Sequence, residues 1–159
     1  MRVLEITTTF CLGLLAGAML LIGGAIVPYW FSLDPPAFAA WFTRNSSFLA
    51  AVMVPLGGTT VLLSLATALS SWRSRSPARS YFATAAALAG VVALIYLVEH
   101  VSLNADIGSG SLSPAELVSA RESWRAWHWA RVGAGVLGFL AGLVGLAQPA
   151  SAGSNEPAA

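Results

Sequence analysis

Residues 122–131 read ESWRAWHWAR, and within them Trp124, Trp127, His128 and Arg131 recur at helical spacing. At about 100° per residue these four share an arc of about 100°, whereas Glu122, Arg125 and Trp129 project from a different face. A second set precedes them. Tyr96, His100 and Asn104 follow at i, i+4 and i+8, with Glu99 beside His100. Together the two sets contain both histidines of the chain. An imidazole can take up and return a proton near neutral pH. A guanidinium and an amide can stabilise a developing oxyanion, and indole faces can stack a flat aromatic ligand. If the two helical faces meet, His100, Asn104, His128 and Arg131 become candidates for catalysis. Tyr96, Glu99, Trp124 and Trp127 then become candidate walls of a substrate pocket.

Each of these residue types also has an ordinary use at a membrane surface. Tryptophans at helix ends form aromatic belts, the expected role for Trp30, Trp41, Trp72 and Trp129. Arg121 and Arg125 are expected to be solvated or paired with Glu122, and Arg44 to snorkel to the headgroups. Glu99 could be a plain interfacial carboxylate. His100, His128 and Arg131 are harder to assign this way, because ionisable groups close to apolar spans are costly and suggest function. Two histidines with Glu99 imitate a two-His, one-carboxylate metal set, and two histidines could ligate haem. Neither arrangement has motif spacing, so no cofactor is expected, although haem and metal stay open. Cys11, the single cysteine, lies about 25 Å away along its helix and is a poor candidate ligand.

The elements that must position these residues are apolar. Of 159 residues, 57% are hydrophobic and 9% charged, and mean hydropathy is +0.73. A soluble domain carries about a quarter charged residues, so the composition indicates an all-α integral membrane protein. The net charge of +1 and eight scattered arginines give no reason to expect nucleic acid as a partner. Four stretches reach the roughly 20 residues that span a bilayer, about 6–30, 47–69, 81–98 and 129–147, the last within a helix expected over 114–147. The first is longer than the ~7–15-residue core of a signal peptide, so a retained membrane helix is expected there. Pro35-Pro36 marks a turn between the first two spans. Before the fourth, Ser113, Pro114 and Glu116 compose a capping box that starts a helix. That helix would rise about 50 Å, so its first turns should stand in the interface or beyond. Residues 148–159, small and polar, are expected to be a disordered tail.

An antiparallel four-helix bundle sends the ends of spans one and three, and the starts of spans two and four, to one side of the membrane. That side collects both histidines, Arg131, Asn104 and most of the tryptophans, while the other receives Trp72 and the arginine loop 70–80. Gly13 and Gly17, and Ala134, Gly138 and Gly142, follow the small-xxx-small pattern of close helix packing. Pro55 with Gly57-Gly58 is expected to kink the second span. Arginines divide evenly between the two sides. Loop 70–80 holds three without an acid, which points to both termini being cytoplasmic in a bacterial plasma membrane. The expected partners are the lipid bilayer, a hydrophobic aromatic small molecule and further copies of the chain.

With four spans, EHVSLNADI ending the third and W-x-x-W-H-x-x-R opening the fourth, the chain resembles the anthrone oxygenase-like membrane family. The likeness in architecture covers about residues 1–147; its specific residues lie in the two short motifs. Members often carry proline where this chain has Ser102, which leaves the substrate open. The resemblance implies oxidation of a tricyclic anthrone to an anthraquinone by molecular oxygen without an obvious cofactor. It implies His100, Asn104, Trp124, His128 and Arg131 as site residues. Two other classes stand beside it: a non-catalytic membrane protein acting as a partner subunit or ligand-binding module, and a haem- or metal-binding electron carrier.

Overall fold

The computed structural model describes residues 1–149, and among them there is helix and no strand. The helices are α1 (Arg2–Ser32), α2 (Pro35–Arg73), α3 (Arg79–Ser109) and α4 (Pro114–Ala147), each long and apolar enough to cross a membrane. α1 and α3 each pack against both α2 and α4. With the short connections 33–34, 74–78 and 110–113, this is an antiparallel four-helix bundle, the architecture of an integral membrane protein.

The capping box at the start of α4 forms as the sequence indicates. The Ser113 N–H donates to Glu116 Oε2 at 2.8 Å, and the Glu116 N–H donates to Ser113 Oγ at 3.4 Å. Elsewhere the helices outrun the apolar stretches. Pro35-Pro36 opens α2 instead of making a turn, because Asp34 Oδ1 accepts the Ala37 N–H at 2.8 Å and a first-turn proline needs no donor. The 47–69 span is thus the middle of a 39-residue helix. α3 likewise continues past Val98 to Ser109, where Gly110 at φ +72° ends it in the left-handed region glycine tolerates. α1 extends at both ends beyond 6–30. Of the expected disordered tail, Gln148 and Pro149 follow the end of α4, and 150–159 lie outside the described residues.

A 39-residue helix rises about 58 Å, against a hydrocarbon thickness of about 30 Å. The surplus gathers on one side. There Phe38 and Phe42 of α2, Ile107 of α3, Leu117 and Trp124 of α4 and Trp30 of α1 share one apolar core. Trp30 is therefore no belt residue: it is 1% exposed and packs edge-on against Trp124 at 4.8 Å. Trp72 and Trp129 do face outward, as a belt requires.

Arg121 also departs from expectation. Instead of being solvated or paired with Glu122, it is buried and donates to the Trp30 and Leu33 carbonyls at 2.7 and 3.1 Å. Its guanidinium also stacks on Phe31. The Trp30 carbonyl lies in the last turn of α1, where it also accepts the Leu33 N–H at 3.2 Å, and Leu33 follows the helix end. Arg125 does pair with Glu122.

In the other half of the bundle, small residues let helices close. A Cβ on Gly138 would meet Leu88 Cβ at 3.3 Å, and one on Gly142 would meet Thr9 Oγ1 at 3.1 Å. The Gly13 side fits Phe139 the same way, whereas Gly17 faces open space. Thr8 and Thr67 join α1 to α2 through a 2.6 Å hydroxyl hydrogen bond, which keeps two buried polar groups satisfied.

Candidate functional site

Both α1 and α3 widen into a single π-helical turn, at Ile22–Ile26 and Tyr96–His100. Such turns cluster at functional sites because they re-aim side chains and disturb the regular hydrogen-bond ladder. Here each lies against α4. At the first, the Met19 carbonyl receives a hydrogen bond from His128 Nε2 at 3.0 Å. A carbonyl can only accept, so Nε2 carries the hydrogen, and in the neutral ring Nδ1 is the basic nitrogen. Close approach depends on Gly23, where a Cβ would lie 3.3 Å from His128 Nε2 and 3.1 Å from Trp129. Nothing in the periodicity singles out Gly23; the only sequence signal is the doublet Gly23-Gly24 within an apolar helix.

At the second wide turn, His100 points inward, with ring centroid 6.4 Å from that of His128. Trp124 stacks on His128 at 4.8 Å with an interplanar angle of 14°, and meets His100 edge-on at 4.9 Å. The Trp124 indole N–H donates to Asn104 Oδ1 at 2.9 Å. Tyr96 lies parallel to His100 and also under the Arg131 guanidinium, 5.4 Å from Cζ to ring centroid. The two helical faces therefore do meet.

They line a cavity of about 290 Å³ whose wall includes Tyr96, His100, Asn104, Trp124, His128 and Arg131. Trp127 and Glu99 do not line it. Trp127 is 38% exposed and Glu99 half-buried. The reason is angular. Relative to Trp124, His128 lies about 40° one way around α4, Arg121 about 60° the same way, and Trp127 about 60° the opposite way. Because Arg121 and Leu117 are buried, the buried face is centred toward them, and Trp127 falls over its edge. Trp30 Nε1 is the indole donor left free at this wall, buried without a partner, since that of Trp124 is engaged. Trp30, Phe42 and Met53 are wall residues that the helical spacing alone did not reveal.

Polar chemistry on this wall is under-satisfied. Both ring nitrogens of His100, Nδ1 of His128 and Nε of Arg131 are buried without a hydrogen-bond partner. Among the described residues, Arg131 has no ion pair although it is only 8% exposed. Unpaired buried charge costs several kcal/mol, which structure alone has no reason to sustain. As for metal, the described residues hold no group of three His, Cys, Asp or Glu able to bind an ion together; the histidine pair is the available nitrogen donor set. No family model, curated protein or solved structure matches the chain.

Proposed function

We propose that the chain is a membrane-embedded oxygenase that binds a flat, oxygen-bearing aromatic molecule in this cavity and oxidises it with molecular oxygen, an anthrone-to-anthraquinone type of reaction. The observation that carries this reading is Arg131: a buried guanidinium without an anion, on the same wall as two imidazoles. It suits a substrate that becomes anionic during the reaction. His128 acts as base through Nδ1, removing a proton from the methylene carbon flanked by the aromatic rings. Arg131, with the Asn104 amide N–H groups, stabilises the negative charge left on the carbonyl oxygen.

The electron-rich enolate then reduces oxygen, and a carbon–oxygen bond forms at the deprotonated carbon. Protonation gives a hydroperoxide. Loss of the second hydrogen from that carbon breaks the O–O bond, releasing water and leaving a second carbonyl. One anthrone and one oxygen molecule yield one quinone and one water. Placing both termini in the cytoplasm of a bacterial cell, as the acid-free arginine loop suggests, would put the cavity toward the outer face.

The test uses purified protein in lipid vesicles supplied with 1,8-dihydroxyanthrone, following quinone absorbance and oxygen uptake together. Quinone formation above that of empty vesicles, with one oxygen consumed per quinone, is the expected result. A wild-type rate equal to that of empty vesicles would overturn the reading.

A further inference from the structure

Where the cavity opens follows from which wall residues are exposed. From α1 and α4 it is lined by Leu15, Ile22, Trp30, Trp124, His128 and Arg131, and every one of these is buried. Exposed wall residues come from α2 and α3 alone: Ala50, Val54 (48%), Gly58 and Leu97 (65%). α2 and α3 close on each other at two levels. On the site's outer side, Phe38 and Phe42 share an apolar core with Ile107, and further along Val61 packs against the core formed by Leu12, Ala85 and Ala89. Between those levels the cavity wall reaches exposed residues of both helices, with Gly57 and Gly58 on the α2 side. A Cβ on either glycine would meet nothing within 4 Å.

This stretch of the wall lies at membrane depth. Counting from Trp72, the exposed belt residue at the opposite interface, Gly58 and Ala50 stand about 21 and 33 Å away by helical rise. They therefore fall in the half of the ~30 Å hydrocarbon layer nearest the site and at its boundary. The extramembrane end is closed over by Trp30, Phe42 and Trp124, all buried. An opening flanked by Val54 and Leu97 presents apolar side chains and no charge.

We infer that the cavity is loaded sideways from the bilayer, through a portal between α2 and α3 edged by Gly57 and Gly58, and that its ligand is an uncharged, membrane-dissolved aromatic molecule. The inference rests on the proposed function for the class of ligand, and its geometry can be tested separately. Neutral molecules enter from the acyl layer, and negative charge develops only beside Arg131. Small residues at the portal set the width of what can pass.

Val92 lines the cavity and is itself buried, so a thiol placed there reports what gets inside. The experiment takes Val92→Cys in a Cys11→Ser background, in vesicles. It compares modification by neutral, lipid-soluble N-phenylmaleimide with that by a charged, membrane-impermeant thiosulfonate. Rapid reaction with the maleimide alone is expected, slowed about tenfold or more when Gly58→Phe is added, because thiol modification follows access. Leu65→Phe, on the lipid-exposed surface of the same helix and outside the cavity wall, should leave the rate unchanged and shows that a bulky lipid-facing residue is harmless. Maleimide labelling that ignores Gly58→Phe, or faster labelling by the charged reagent, would overturn the portal. Anthrone turnover with portal-independent labelling would remove this inference and leave the reaction standing. Portal-dependent labelling without turnover would do the reverse.

Discussion

Among single residues, Arg131 bears most directly on the chemistry. Its charge sits on a cavity wall over the Tyr96 ring, and a cation–π contact returns only about 0.5–2 kcal/mol, less than burial of an unpaired ion costs. Replacing it with glutamine should therefore leave thermal stability in detergent unchanged or raised, while lowering oxygen uptake with an anthrone by about 10²–10³-fold. A melting midpoint that falls along with activity would mark Arg131 as structural. Gly23 supplies a second prediction. Gly23→Ala would make Trp129 and His128 give by a few tenths of an ångström and should lower turnover, whereas Gly17→Ala, facing open space, should not; equal rates in the two variants would contradict the packing at Gly23. The His100, Asn104, Trp124, His128 and Arg131 cluster was legible because each set repeats at helical period on its own segment. Gly23 and Trp30 were not, since their importance lies in distances between helices, which intrahelical spacing cannot convey.

How each helix ends decides where the residues of the site stand. Apolar stretches locate the middle of each helix well, because hydrocarbon thickness sets them. They miss the extensions, where the stop signals are local: Asp34 capping α2, Gly110 ending α3, Ser113 and Glu116 starting α4. The capping box at Ser113 has the clearer sequence pattern and is read correctly. Asp34 ahead of two prolines resembles a turn until its side chain is seen to accept the Ala37 N–H. Arg121 then clamps the end of α1 to α4 through two backbone carbonyls. Hydrogen bonds from a charged donor are worth about 1.5–3 kcal/mol each, so Arg121→Ala should cost about 3 kcal/mol. Asp34→Ala should cost about 1 kcal/mol through loss of the cap. Denaturant titration of both in micelles checks the order: if Asp34→Ala proves the more damaging, the clamp is not what holds the site's outer end together.

For the whole molecule, the division of labour between the two halves of the bundle is the main feature. One half is closed by glycine contacts and a threonine pair; the other is closed at its end by packed aromatic rings, with room for a ligand beneath them. Composition and four apolar stretches point to a four-helix membrane bundle, and antiparallel connection sends both histidines to one side. Neither says whether those histidines face one another, and that is what the structure adds. The belt assignment can be checked through tryptophan fluorescence with brominated lipids. Trp72→Phe and Trp129→Phe should each remove quenchable emission, while Trp30→Phe should remove emission that resists quenching.

On the proposed function, proton removal and oxygen chemistry occur in this cavity, with His128 as base. The most direct measurement is the oxygen-uptake rate with 1,8-dihydroxyanthrone for wild type and His128→Ala in the same vesicles. Loss of a positioned general base lowers a rate by about 10²–10⁴-fold, and a loss of that size, with the variant still folded, is the predicted result. Equal uptake by the two proteins would contradict His128 as the base.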